Sequence, residues 1–288
     1  MYRAKLTHMS ESSTKSRRRW FRFSLRGLLI LVAVLCIWFS YEKNRVTKQA
    51  RITAQVRDLG GDVFFGYRFD SSGKPTAFSK RKVPGWITDL VGEDFFLTDV
   101  TINFDNEFGK RPKDRSKAIG SQVTNEALSL LDDVRDVTSL LLASNPQLTD
   151  ECLAHVDHLK QLRVLRLNQT NVTGSGLRHI QSLRNLEGLT LSDTPLTDEG
   201  LVYLKGLSRL EWLRLGDTEI TDEGLSHLSS LSSLEALELY NTKITDQGLK
   251  YLRNLKGLKR LSLRGTATTA EGRQNLQEAI PTCTISWQ

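Results

Sequence analysis

Cysteine is scarce in this chain, with three among 288 residues. Cys36 falls in an apolar run, Cys152 near the start of a predicted helix, and Cys283 in a predicted terminal strand. About five repeat units separate the last two, far more than the ~7 Å between Cα atoms that a disulfide tolerates. They cannot pair with each other. Structural thiols are expected rather than reactive ones, and the odd count says nothing of the redox compartment.

The motifs of catalysis are also missing. There is no EF-hand spacing, no Walker or dinucleotide glycine pattern, and no nucleophile elbow. His155, His179 and His227 recur in one column with Tyr203 and Tyr251. Side chains on neighbouring helices ~10 Å apart cannot converge on one ion at ~2 Å. His155 and His158, three apart, can meet, but no third ligand of the right type stands near. No metal, cofactor or catalytic residue is expected.

Positive charge is lacking where nucleic acid would need it. Residues 1–58 hold thirteen Lys/Arg against three acids, net +10, while the remaining 230 residues carry a net −3. A nucleic-acid-binding repeat array would carry its own basic stripe, so nucleic acid is not expected as a partner.

What the chain does contain is a repeat. Leu153, Leu177, Leu201, Leu225 and Leu249 stand 24 residues apart, each after a phrase such as Ile220-Thr221-Asp222-Glu223-Gly224. A fixed period of this size signals a solenoid, which chiefly offers surface and so points to binding. Leu189 and Leu191 alternate as in a short half-buried strand. Leu201, Leu204 and Leu207 then follow at helical spacing. Thr197 is a candidate N-cap, with Asp198 and Glu199 suited to the positive end of the helix dipole. The same dipole accounts for the rows of acids without calcium. Each unit therefore predicts one strand and one helix.

These motifs resemble the leucine-rich repeat, in the 24-residue bacterial subtype of the ribonuclease-inhibitor-like and GALA-like group, over roughly residues 95–288. The sequence departs from that family at one position. The usual Asn after the strand is replaced by Thr170, Thr194, Thr218, Thr242 and Thr266, whose hydroxyls can still serve loop backbone groups. Asn145 holds the position in the first full turn, where the loop 144–147 has one extra residue. Val100, Ile102 and Phe104 predict a first strand, with about fourteen residues inserted after it, including Lys110, Arg111, Lys113, Arg115 and Lys117. Leu128, Leu131 and Val134 repeat the helix spacing. Cys283, Ile285 and Trp287 predict a strand at 282–287 that closes the last turn.

Ahead of the repeats, residues 27–41 carry no charge but reach only about 22 Å as a helix. Extending the run to residues 20–41 gives about 33 Å. Arg22 and Arg26 would snorkel toward headgroups, with Trp20, Trp38 and Tyr41 near the two ends. No small-x-small cleavage site follows Cys36, which favours an uncleaved anchor over a signal peptide. The excess of Lys/Arg before the run predicts a cytoplasmic N-terminus and an exported repeat domain. Residues 42–59 lack Pro and Gly and predict a helical stalk. Val63, Phe65, Tyr67 and Phe69 predict one strand, Ser71–Pro75 a turn, and Pro84-Gly85 the start of a short helix.

The organisation expected is a basic tail (1–19), a transmembrane helix (20–41), a stalk (42–59), a small α+β cap (60–98) and the repeat domain (99–288). The fold class is α/β: a right-handed horseshoe solenoid with parallel strands on the concave face and helices on the convex one. The family resemblance implies that a protein or peptide partner docks on the concave face. The candidate contacts there are Arg166, Thr190, Trp212, Arg214, Glu238, Tyr240, Arg260 and Arg264. Gly188 and Gly216 leave room beside Trp212, favouring a groove. An envelope-organising scaffold without a specific ligand is the alternative, and an enzyme using residues 60–120 a weaker third.

Overall fold

The computed structural model describes residues 25–65, 67–69, 75–77, 100–105 and 123–287. The expected helix at Pro84-Gly85 and the basic insert from Lys110 to Lys117 lie outside them. The chain divides into two compact units, Met1–Lys48 and Gln49–Gln288.

Helix α1 (Leu25–Asp58) runs through the predicted stalk. It stops at Gly60, whose φ of 83° is the left-handed conformation that ends helices. Gly60 N donates to Arg57 O and Gly61 N to Val56 O, satisfying the last carbonyls. In the second unit Ile52 and Val56, four apart on one face, are buried in the core. Among the described residues no helix is long and apolar enough to cross a membrane. Residues 20–24 of the expected span lie outside them.

The second unit is built on a nine-stranded sheet. Strand β1 (Asp62–Phe65) pairs antiparallel with β4 (Val100–Asn103). The strands from β4 onward are parallel and follow sequence order: β5 (Val137–Leu141), β6 (Val164–Arg166), β7 (Gly188–Thr190), β8 (Trp212–Arg214), β9 (Ala236–Glu238), β10 (Arg260–Ser262) and β11 (Thr284–Ser286). Leu165, Leu189, Leu213, Leu237, Leu261 and Ile285 pair in one unbroken row at the 24-residue period. The expected single strand over residues 63–69 is two strands. Strand β2 (Tyr67–Phe69) leaves the large sheet and forms a hairpin with β3 (Pro75–Ala77).

The expected convex helices are corrected. Most units return through 3-10 turns, as at Asp150–His155 and Gly174–His179, or through single α-turns such as Asp198–Leu201. The reason lies in the leucine spacing. Leu153, Val156, Leu159 and Leu162 recur every three residues, the repeat of a 3-10 helix. Each of the last three donates its N–H to the carbonyl of the one before. Of the returns among the described residues only helix α2 (Ala270–Ala279) is long, and the buried Leu276 and Ile280 are four apart.

The Thr column holds its loops as expected. Thr170, Thr194, Thr218 and Thr242 are buried, and each hydroxyl donates to the strand carbonyl three residues back at 2.6 or 2.7 Å. Asn145 does the same work in the first full turn, donating to the Phe104, Leu142 and Ala143 carbonyls.

The Thr-Asp phrases form a second column that locks each turn to the next. Asp222 Oδ1 accepts Thr245 N at 2.8 Å and its Oδ2 accepts Thr245 Oγ1 at 2.5 Å. The pairs Asp150–Thr173, Asp198–Thr221 and Asp246–Thr269 repeat this clamp. The glycine of the phrase makes space for it, since a Cβ on Gly248 would sit on Asp222 Oδ1. Thr197 does not cap its turn through its side chain, unlike Thr221 and Thr245. Its clamp is also missing, because Gly174 stands where the other turns have Asp. There the backbones of Gly174 and Gly200 close directly on each other.

Candidate functional site

Side chains at the outward positions of the strands form one face of the sheet, and their burial changes steadily along it. Ser139 and Leu141 on β5, and Val164 and Arg166 on β6, are buried. Arg214, Ala236 and Glu238 are half-buried, and Arg260, Thr284 and Ser286 are exposed. Packing within the chain thus closes the face over β4–β7 and leaves it open over β8–β11.

Three of the eight predicted contact residues are buried, two on β6 and β7 and the third, Trp212, at the start of β8 where the closed part ends. Thr190 is 0 % exposed, Trp212 5 % and Arg166 8 %. The Arg166 guanidinium lies 3.4 Å from the Asp105 carboxylate, whose other oxygen accepts Ala143 N. This pair ties β6 to the residue just past β4. Trp212 packs with Leu141, Val164 and Ala236. Its indole covers Gly188, and the Tyr240 ring covers Gly216. The expected groove beside Trp212 is therefore filled: the glycines accommodate aromatic rings of the next turn instead of a ligand.

The other five residues remain on the open part. Arg214 Nε and Glu238 Oε1 form an ion pair at 3.2 Å across β8 and β9. Arg264 stacks its guanidinium 5.8 Å from the Tyr240 ring centre. Arg260 and Arg264 are exposed. A depression of about 290 Å³ lies here, with Trp212, Arg214, Glu238, Arg260, Thr284 and Ser286 in its lining. Thr284 and Ser286 were missed from sequence, although β11 follows β10 at the same 24-residue register, Arg260 beside Thr284 and Ser262 beside Ser286.

A row of charges borders the face where each strand begins. Arg163, Glu187, Glu211, Glu235 and Lys259 stack at the 24-residue period, each backbone N–H donating to the carbonyl of the previous one. The end pairs are satisfied, Arg163 with Glu187 at 3.3 Å and Lys259 with Glu235 at 2.6 Å. Glu211 sits between two carboxylates. Partial burial, then repulsion from Glu187 and Glu235, holds its carboxyl above the usual range.

The histidines part company. His155 Nδ1 is 2.7 Å from Asp132 Oδ1, whereas His158 Nε2 faces the carbonyls of Leu131 and Val134. Among the described residues no group of His, Cys, Asp and Glu gathers in a way that could hold a metal ion. Burial pushes the Cys152 thiol up to about 12, with Asp150 adding to it, and the Cys283 thiol up to about 11. Cys283 and Ile285 bury beneath the last turn as expected, but Trp287 is exposed, 5.2 Å from the Arg273 guanidinium. Trp287 does not seal the core.

Parallel strands at a 24-residue period, joined by short helical turns around a leucine core, make this an α/β repeat fold with a sheet resembling that of a leucine-rich-repeat solenoid. Among solved structures it is similar to internalin C2 from Listeria monocytogenes, with a TM-score of 0.44 and 20% identity over 59% of this chain and 86% of that one. No family model and no curated protein matches the chain.

Proposed function

We propose that this protein is a non-catalytic, membrane-anchored binding protein that engages a protein or peptide partner through the open part of its sheet face. The observation carrying the reading is the change in burial along one sheet: closed over β4–β7, open over β8–β11, with a depression in the open part. A solenoid that had only to fold would have no need of an exposed Arg260 in the depression and an exposed Arg264 stacked on Tyr240. Arg and aromatic residues are enriched where interfaces draw most of their energy.

The anchor rests on helix α1. Leu29, Ile30, Val32, Val34, Leu35, Ile37 and Trp38 are exposed, and their positions run all round the helix. A helix apolar on every side belongs in lipid or in a large core. The residues 20–41 together have the length for the first, and the basic excess before them orients the repeats outward.

Photo-crosslinking groups placed at Ser262 and Thr284 in intact cells test the docking face. One partner captured there, and none from Ser229 on the opposite side, supports it. Crosslinks only between copies of this chain would favour the scaffold reading, to which the largely closed face lends weight. Protease added to cells and to spheroplasts tests the topology. A repeat domain protected in both would place it in the cytoplasm and overturn the orientation.

A further inference from the structure

Residues 250–288 carry seven Lys/Arg against two acids, net +5, although the chain from residue 59 onward is net −3 as a whole. The turns before residue 250 are therefore acidic and the last ones basic. On the sheet face the earlier strands carry Arg166 and the Arg214–Glu238 pair, and the unbalanced acids stand along its borders. Glu187, Glu211 and Glu235 border β7, β8 and β9, and Asp193 and Asp217 are exposed beyond the ends of β7 and β8. Around β10 and β11 the outward positions are Arg260, Ser262, Arg264, Thr284 and Ser286, with no acid among them.

We infer that the open end of this face takes an extended acidic segment of a protein partner, laid along β10 and β11 with carboxylates on Arg260 and Arg264. The inference rests on the proposed docking face and adds the chemistry of its occupant. Arg260 opens β10 and Arg264 stands two residues past its end, in the turn that follows, so their Cα atoms are at most about 13 Å apart. An extended partner strand presents the same spacing between carboxylates at positions i and i+4 on one side of its own pleat. Tyr240 holds Arg264 in place by stacking, so less side-chain freedom is lost when a carboxylate binds. The hydroxyls of Ser262 and Thr284 line the depression beside Arg260 and offer hydrogen bonds to partner backbone or side chains. The glutamate row repels the same segment from β7–β9, which sets where it lies as well as what it is.

The test uses the full-length protein and fluorescein-labelled peptides of about ten residues, long enough to span both arginines. One carries Glu at two positions four apart in a Ser/Thr/Val background, and its control carries Lys there. Binding is read by fluorescence anisotropy at low salt and at about 0.3 M salt, where screening is strong. The Glu peptide should bind at low salt and weaken as salt rises, and the Lys peptide should not bind. R260A/R264A should weaken the Glu peptide about tenfold or more, the loss of two charge-assisted contacts. R253A/K256A, on the helical side, should leave it within about twofold. Thermal melts of both variants check that exposed substitutions leave the fold intact.

Equal binding of the Lys peptide, or an equal loss in R253A/K256A, overturns the inference. So does no binding of the Glu peptide. If crosslinks from Ser262 persist in that case, the acidic class alone is wrong. If they vanish too, the docking face falls with it.

Discussion

The indole of Trp212 occupies the space that a side chain on Gly188 would need, one turn earlier in the solenoid. The two residues are register partners on β7 and β8. Gly188→Ala is expected to cost about 1–3 kcal/mol, because the large ring and its neighbours Leu141 and Val164 must shift together. Urea unfolding measures it, and an unchanged midpoint would show that the indole does not pack there.

Asp222 and Thr245 make the clamp that joins successive turns. Asp222→Ala leaves the Thr245 N–H and hydroxyl without this carboxylate, an expected loss of about 1–3 kcal/mol. Glu223 is the neighbouring first-turn acid but is exposed, and Glu223→Ala should change stability by no more than about 0.5 kcal/mol. Equal effects in the two variants would mean that the helix dipole, not the clamp, explains the acids.

Arg166 and Asp105 form the buried ion pair of the closed face. Arg166→Ala strands a buried carboxylate and is expected to destabilise by about 3 kcal/mol, read from the same urea titration. A loss below about 1 kcal/mol, the value of an exposed pair, would show that the site is hydrated.

Glu211 carries a raised folded-state pKa, so its protonated form is the one the fold prefers. Its contribution to stability is present at acid pH and is lost as pH rises through the raised value. Glu211→Gln should therefore raise the melting temperature at pH 7, and the gain should shrink to nothing below about pH 4. A variant that melts lower at pH 7 would reverse the sign assigned to the row.

Cys152 and Cys283 hold thiols pushed up to about 12 and about 11. Iodoacetamide at pH 8 should modify neither until the protein unfolds, since the thiolate is the nucleophile. Mass spectrometry of digests from native and urea-treated samples reads this. Rapid modification of Cys152 in the native protein would place it at the surface.

The row of strand leucines and the Thr column under the loops were legible in the sequence. So were the extra residue at 144–147 and the insert after Phe104. Each depends on neighbours along the chain or on a strict period, and a period survives folding because every turn solves the same packing problem in the same way. The three-residue leucine spacing is legible too, yet from sequence it reads as α-helical. The distinction between 3.0 and 3.6 residues per turn is small over two turns.

The character of the sheet face was decided only by tertiary structure. Which arginines are buried depends on partners such as Asp105, 61 residues away from Arg166. Whether a glycine opens a groove or receives a ring depends on the rotamer of Trp212 in the next turn. Repetition along the chain sets the frame, since identical units can stack in one way. Burial at the face arises where unlike residues from different turns meet, and no local pattern encodes that meeting.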